Sequence, residues 1–271
     1  MGLPDFDKLF ETYLKNWYRA HADDGMTPEE LEDKLPEIYA EWAERPEALL
    51  SGETPAGYFA KIQDPGTLLA LLIESGRTGE GACALLIDRM AEVEGTTVLL
   101  ARAIEDGSIR GELLTETMNI LVELSGKHPL KTYAAWLVED GVDEGQRELA
   151  AEILTDHAAE AAPFLFPLIE AADDEQCELL AQVLAAAPKD ERTYRLLERL
   201  FLSRRGLPLA ASLIAKYGDE RLVGVLYPAL DDCNYMEFIE IRNAVEALGG
   251  TVDEDYRDFS DDAYYKLLKG L

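Results

Sequence analysis

Positive charge is scarce in this 271-residue chain, where 25 lysines and arginines stand against 54 aspartates and glutamates for a formal net charge of -29 at pH 7. Such a field repels phosphate backbones and anionic membrane surfaces, so binding to nucleic acid would need a local basic groove. Cysteine is nearly absent. Cys83, Cys177 and Cys233 are odd in number and far apart, with no CxxC pair to hold zinc or run disulfide exchange. Each lies in or beside an apolar helical pattern, as a buried thiol does. Histidine is equally rare: His21, His128 and His157 share no helix at ligand spacing, which excludes an HExxH-type zinc site. No stretch approaches the ~18 uninterrupted apolar residues of a membrane span. The opening Met1-Gly-Leu-Pro-Asp5 has no basic region followed by an apolar one. A soluble cytoplasmic protein is the expectation. Neither a GxSxG elbow nor a GxxxxGK[ST] loop occurs, and Gly76, Gly79 and Gly81 lack the preceding strand of a nucleotide fingerprint. The run from Asp253 to Tyr264 fails as a calcium loop, because Asp258 and Tyr264 stand where glycine and glutamate are required. No metal and no cofactor is expected.

What the chain does have is a repeat. Glu148-Leu-Ala-Ala-Glu-Ile-Leu154, Glu178-Leu-Leu-Ala-Gln-Val-Leu184 and Pro208-Leu-Ala-Ala-Ser-Leu-Ile214 recur at an interval of 30 positions. That period suits a helical hairpin with one apolar face, which must bury the face against its neighbours. Between residues 64 and 250 the chain reads as helix, short polar turn, helix, with turns expected at Glu74-Ser-Gly76, Glu94-Gly95, Glu105-Asp-Gly107, Ser125 to Pro129, Glu139-Asp-Gly141, Asp173-Asp174, Pro188-Lys-Asp190, Arg205 to Pro208, Gly218-Asp219 and Asp231-Asp232. Alanine and leucine dominate the intervals and β-branched runs are few, which disfavours strands. A second set of strings accompanies the first: Trp136-Leu-Val-Glu139, Pro167-Leu-Ile-Glu170 and Tyr227-Pro-Ala-Leu-Asp231. Their terminal acids Glu139, Glu170 and Asp231 keep the same register as the first set, so each unit is expected to contain two helices.

With both sets in view, the chain resembles the HEAT-like family of α-solenoids, in which antiparallel helix pairs stack and a proline often lies near the second helix. The resemblance covers roughly residues 64 to 250 and rests on periodicity. It implies an all-α, right-handed solenoid with a curved surface, and it implies no chemistry. The chain departs from the family in lacking a regular Asp and Arg ladder between repeats.

Residues 1 to 63 read as an aromatic-rich helical cap, since a terminal repeat has a neighbour on one side only. Phe6, Phe10, Tyr13, Trp17 and His21 share one helix face, predicting a first helix over about Asp5 to Ala22 that ends at Asp23-Asp24-Gly25. Thr27-Pro28-Glu29-Glu30 is a capping-box start, Pro36 is expected to break or kink the helix it begins, and Thr54-Pro55 begins another helix after Gly52. Residues 251 to 271 form an acidic connector and a short closing helix, Ala263 to Lys269.

The one basic concentration is Lys189, Arg192, Arg195, Arg199, Arg204 and Arg205, six of the 25 positive residues within 17 positions. Arg192, Arg195 and Arg199 share a helix face that either grips an anionic partner or pairs with Glu191, Glu198 and the acids of adjacent repeats. Residues 1 to 95 carry 20 acids and 8 bases, 96 to 185 carry 18 and 5, and 186 to 271 carry 16 and 12. The negative field therefore lies over the first two thirds. Together these features point to a non-enzymatic protein-interaction scaffold, monomeric or weakly oligomeric, whose acidic curved surface receives a basic or amphipathic segment of a protein partner. Partner contacts are expected at Arg192, Arg195, Arg199, Glu139, Glu170 and Asp231. Two alternatives remain open. Trp136 and Asp140, one helical turn apart, match the aromatic and aspartate of HEAT-like DNA glycosylases, provided that Arg147, Arg192, Arg195 or Arg199 gathers around Asp140 in a concave pocket. The acids could instead mimic nucleic acid.

Overall fold

A computed structural model of the chain describes residues 3–22, 25–79, 81–253 and 255–270. Asp23 and Asp24, expected in the first turn, Glu254 of the connector, and the terminal residues Met1, Gly2 and Leu271 lie outside the described residues. The described chain is all-helical and contains no strand. It divides into two compact units, Met1–Pro129 and Leu130–Leu271. That boundary falls inside the span 64 to 250 that the sequence reads as one array.

The first unit holds α1 (Phe6–Ala20), α2 (Pro28–Ala43), α3 (Pro55–Ala60), α4 (Pro65–Thr78), α5 (Ala84–Glu92), α6 (Thr96–Glu105) and α7 (Glu112–Glu123). Its helix starts rest on local chemistry. Asp5 caps α1, and Thr27 and Glu30 exchange both hydrogen bonds of a capping box at α2. Asp64 and Thr54 accept from the backbone N–H groups three residues on, at α4 and α3. The aromatic cap packs as a ring cluster: Trp42 is fully buried with Phe10 and Tyr39 against it at centroid separations of 5.2 and 5.3 Å, while Phe6 meets Phe59 at 4.8 Å.

Two expectations in this unit are corrected. Of the break or kink expected at Pro36, the break does not occur, since α2 runs on to Ala43. The missing N–H and ring clash cost about 3 kcal/mol, and the burial of Ile38, Trp42 and Ala43 beyond the proline offsets it. Nor is Glu74-Ser-Gly76 a turn, because α4 continues to Thr78 and stops at Gly79, whose φ of +74° is the left-handed conformation glycine permits. Gly76 is a close-approach residue instead. A Cβ there would lie 2.9 Å from the Leu113 side chain on α7.

The second unit holds α8 (Leu130–Trp136), α9 (Glu144–Asp156), α10 (Ala158–Leu165), α11 (Asp174–Leu184), α12 (Glu191–Leu202), α13 (Leu207–Tyr217), α14 (Val223–Leu226), α15 (Tyr235–Ala247) and α16 (Ala263–Lys269). The three similar strings fall in α9, α11 and α13. In each, the third, fourth, sixth and seventh residues are buried: Ala150, Ala151, Ile153 and Leu154, then Leu180, Ala181, Val183 and Leu184, then Ala210, Ala211, Leu213 and Ile214. Helix α11 packs on both α9 and α13, and α13 packs on α15. Fully burying each leucine or isoleucine is worth about 1.5–3 kcal/mol, so these positions contribute substantially to the unit's stability.

The second set of strings is less regular than expected. Trp136 ends α8, so Glu139 sits in the turn beyond it, while Phe166–Leu168 and Tyr227–Asp231 form 3-10 turns in which Pro167 and Pro228 occupy the second position. Proline suits that place because no N–H is required there. His157, which carries no turn signal in the sequence, leaves helical geometry and separates α9 from α10.

Candidate functional site

Two grooves of opposite charge have apolar floors, one in each unit. The arginine groove, of about 290 Å³, brings together Arg192, Arg195, Arg199 and Glu170 over Phe166, Ile169 and Leu196. Helix α12 builds it: positions 192, 195, 196 and 199 fall on one side of a 3.6-residue period, and Asp190 starts the helix by accepting from the Arg192 N–H. The three arginines have different fates. Arg192 makes two side-chain hydrogen bonds to Asp190, at 2.9 and 2.8 Å, and lays its guanidinium 3.5 Å from the centre of the Phe166 ring. Those bonds hold the Asp190 carboxyl down at about 2, against an ordinary 3.8. Arg195 is 75% exposed and reaches Glu191 at 3.3 Å. Glu191 also takes Arg221 at 3.1 Å, and that bond is the foremost cause of its lowered pKa. Among the described residues Arg199 forms no ion pair, and it donates to the Cys177 sulfur at 2.8 Å. Burial pushes the Cys177 thiol up, and the arginine only partly opposes this.

The rest of the basic cluster is bound within the fold. Arg204 pairs with Asp232, Arg205 with Asp174, and Lys189 donates to the Gly218 carbonyl at 2.7 Å. These contacts and Arg221–Glu191 join residues 28 to 31 positions apart.

Of the remaining expected partner residues, neither Glu139 nor Asp231 lines the arginine groove. Glu139 is exposed in the turn after α8, and Asp231 accepts from the Tyr256 hydroxyl at 2.8 Å. The Trp136 and Asp140 pair does not share a helix, because α8 ends at Trp136 and Asp140 is exposed in a turn. Arg147 is occupied with backbone, donating to the carbonyls of Trp136 and Glu139 at 3.3 and 2.9 Å. It closes the end of α8, whose last carbonyls need donors. Among the described residues no group of three His, Cys, Asp or Glu side chains is placed to hold a metal ion. No described helix is long and apolar enough to cross a membrane. The three cysteines are buried and free, with burial pushing Cys83 up to about 11.

The acidic groove is not among the sites expected from the sequence. It is an open concavity of about 480 Å³ along α7, lined by Glu112, Thr115, Glu116, Asn119, Ile120 and Glu123, with Ile87 of α5 across from them. Spacings of three and four residues from 112 to 123 put this stripe on one helix face, about 16 Å long at 1.5 Å per residue. Ile120 is buried and Ile87 half-buried, which gives the floor. Glu116 is held inward by the Ala82 N–H, whereas Glu112 and Glu123 are exposed and have no ion-pair partner among the described residues. The acid spacing on a predicted helix was a usable signal, hidden by the abundance of acids elsewhere.

No family model, curated protein or solved structure matches the chain.

Proposed function

We propose that this protein is a non-enzymatic interaction scaffold, a solenoid of antiparallel helix pairs of HEAT-like kind, whose acidic surface receives a basic amphipathic segment of a protein partner. The recurrence of the same four buried positions at an interval of 30 residues in α9, α11 and α13 supports the solenoid. The groove along α7 carries the binding reading. Its isoleucine floor takes an apolar helix face, and the carboxylates of Glu112 and Glu123, without an ion-pair partner among the described residues, meet lysine or arginine on the flanks of that helix. Long-range attraction from the net charge of -29 raises the encounter rate.

Titration calorimetry with a synthetic amphipathic Leu/Lys helix tests the proposal. Two exposed ion pairs of about 0.5 kcal/mol each correspond to about fivefold in affinity, so Glu112→Gln with Glu123→Gln is expected to weaken binding by that factor. Raising the salt to 1 M shortens the Debye length to about 3 Å and is expected to weaken binding further. Equal affinity in both proteins and at both salts would sink the proposal.

A further inference from the structure

The geometry points to a second docking site of opposite sign, in which Arg195 and Arg199 clamp a carboxylate side chain of a partner peptide while Phe166, Ile169 and Leu196 take the apolar residues beside it. Charge complementarity selects the occupant. The groove is lined by three arginines and one glutamate on a chain that is acidic almost everywhere else. Arg192 is excluded from the clamp, because its guanidinium is bound to Asp190 through two nitrogens and stacked on Phe166. It is a wall of the site. Arg195 and Arg199 are a different case. They lie one helical turn apart, about 6 Å along the axis, and both are exposed. Arg199 donates to a neutral thiol and, among the described residues, forms no ion pair. Arg195 shares Glu191 with Arg221, so releasing Arg195 leaves that carboxylate still paired. Two guanidinium forks thus become available without stranding an acid, and such forks match a carboxylate through parallel N–H donors.

A carboxylate is favoured over a phosphate group because Glu170 lines the same groove and repels a dianion more strongly than a monoanion. The site is short, so it takes one acid flanked by aliphatic or aromatic residues. Repulsion from the rest of the chain is screened beyond about 8 Å at physiological salt.

The test is an NMR titration of the full chain with a short capped peptide carrying one glutamate between two leucines, alongside its glutamine counterpart. Saturable shifts at the Ile169 methyls and the Phe166 ring are expected with the acidic peptide, and at least tenfold weaker binding with the glutamine peptide. R195Q with R199Q should weaken the acidic peptide at least tenfold, and R195K with R199K should recover part of that loss. If the double variant does not fold, R195Q alone carries the test, since Arg195 is exposed and its ion pair is replaceable. Glu112→Gln with Glu123→Gln should leave this binding unchanged, which separates the site from the acidic groove along α7. No saturable shift, equal binding of the two peptides, or binding indifferent to the arginine variants would overturn the inference. Displacement by inorganic phosphate at concentrations equal to the peptide would overturn the choice of a carboxylate.

Discussion

The grooves along α7 and α12 are built alike and charged differently. Each has a helix face for one wall and a buried aliphatic residue in its floor, Ile120 in one and Leu196 in the other, both 2% exposed. On α12, Asp190 and Glu191 stand within four positions of the arginines and neutralise two of them. On α7, Glu112 and Glu123 meet no cation among the described residues. Only two of the chain's 25 positive residues, Arg102 and Arg110, fall between positions 96 and 126, so a carboxylate there has little to pair with. A charge held by a partner that would be stranded without it supports structure, as Arg192 does with Asp190, whereas a charge left unanswered, or one whose partner has a second counter-ion, as Glu191 has in Arg221, is available to a ligand.

The largest effect should come from the floors, where the grooves are the same. Leu196→Ala and Ile120→Ala are each expected to cost about 2–5 kcal/mol in urea unfolding, the range for emptying a packed aliphatic site. A cost near zero at either position would show that its floor is surface rather than core, and the comparison would fail. The next effect concerns the neutralised arginine. Asp190 has a folded pKa below its ordinary value, so its pairing with Arg192 adds stability that is fully present above about 3.8 and disappears as the pH falls through about 2. Arg192→Gln should flatten that part of the stability curve in thermal melts between pH 5 and 2. An unchanged acid limb would mean that the pairing contributes nothing. The smallest effect is expected on the acidic side: Glu123→Gln should leave the melting temperature at pH 7 where it was, since it has no ion-pair partner among the described residues, and Glu112→Gln should cost only about 0.3–1 kcal/mol, the gain of a first-turn carboxylate from the helix N-terminus. A larger fall in melting temperature would reveal a structural partner for these acids and weaken their assignment to binding.

Much of this was legible in the chain. Helix starts at Asp5, Thr27 and Asp64 rest on contacts three residues apart, and the closing helix Ala263–Lys269 has the bounds its sequence suggests. The buried faces of α9, α11 and α13 come from apolar spacing alone. Three features were not legible, for a common reason. Gly76 reads as a stop because glycine is a turn residue, yet its role is set by Leu113, a residue 37 positions away. The missing charge ladder is replaced by Arg221–Glu191, Arg204–Asp232 and Arg205–Asp174, which join the interval of about 30 residues at irregular positions. Trp136 and Asp140 have the spacing of one helix face, and the end of α8 parts them.

By itself, then, the amino-acid order determined that the chain is helical, where many of its helices begin, which faces turn inward and that the thiols are buried. Those properties depend on neighbours within a few residues and on apolar period, and both are written along the chain. Only the tertiary structure decided which charges are spent. An ion pair depends on two side chains meeting within about 4 Å; the carboxylate that meets Arg205 lies 31 residues away, and Arg221, held locally by Asp219, also reaches Glu191 30 residues away. For that reason the sequence left the arginine stripe as either a partner site or an internally paired face, and only the packed helices showed Arg192 held by Asp190 and Arg199 set against a thiol, while the acids of α7 became a candidate site only in the packed structure.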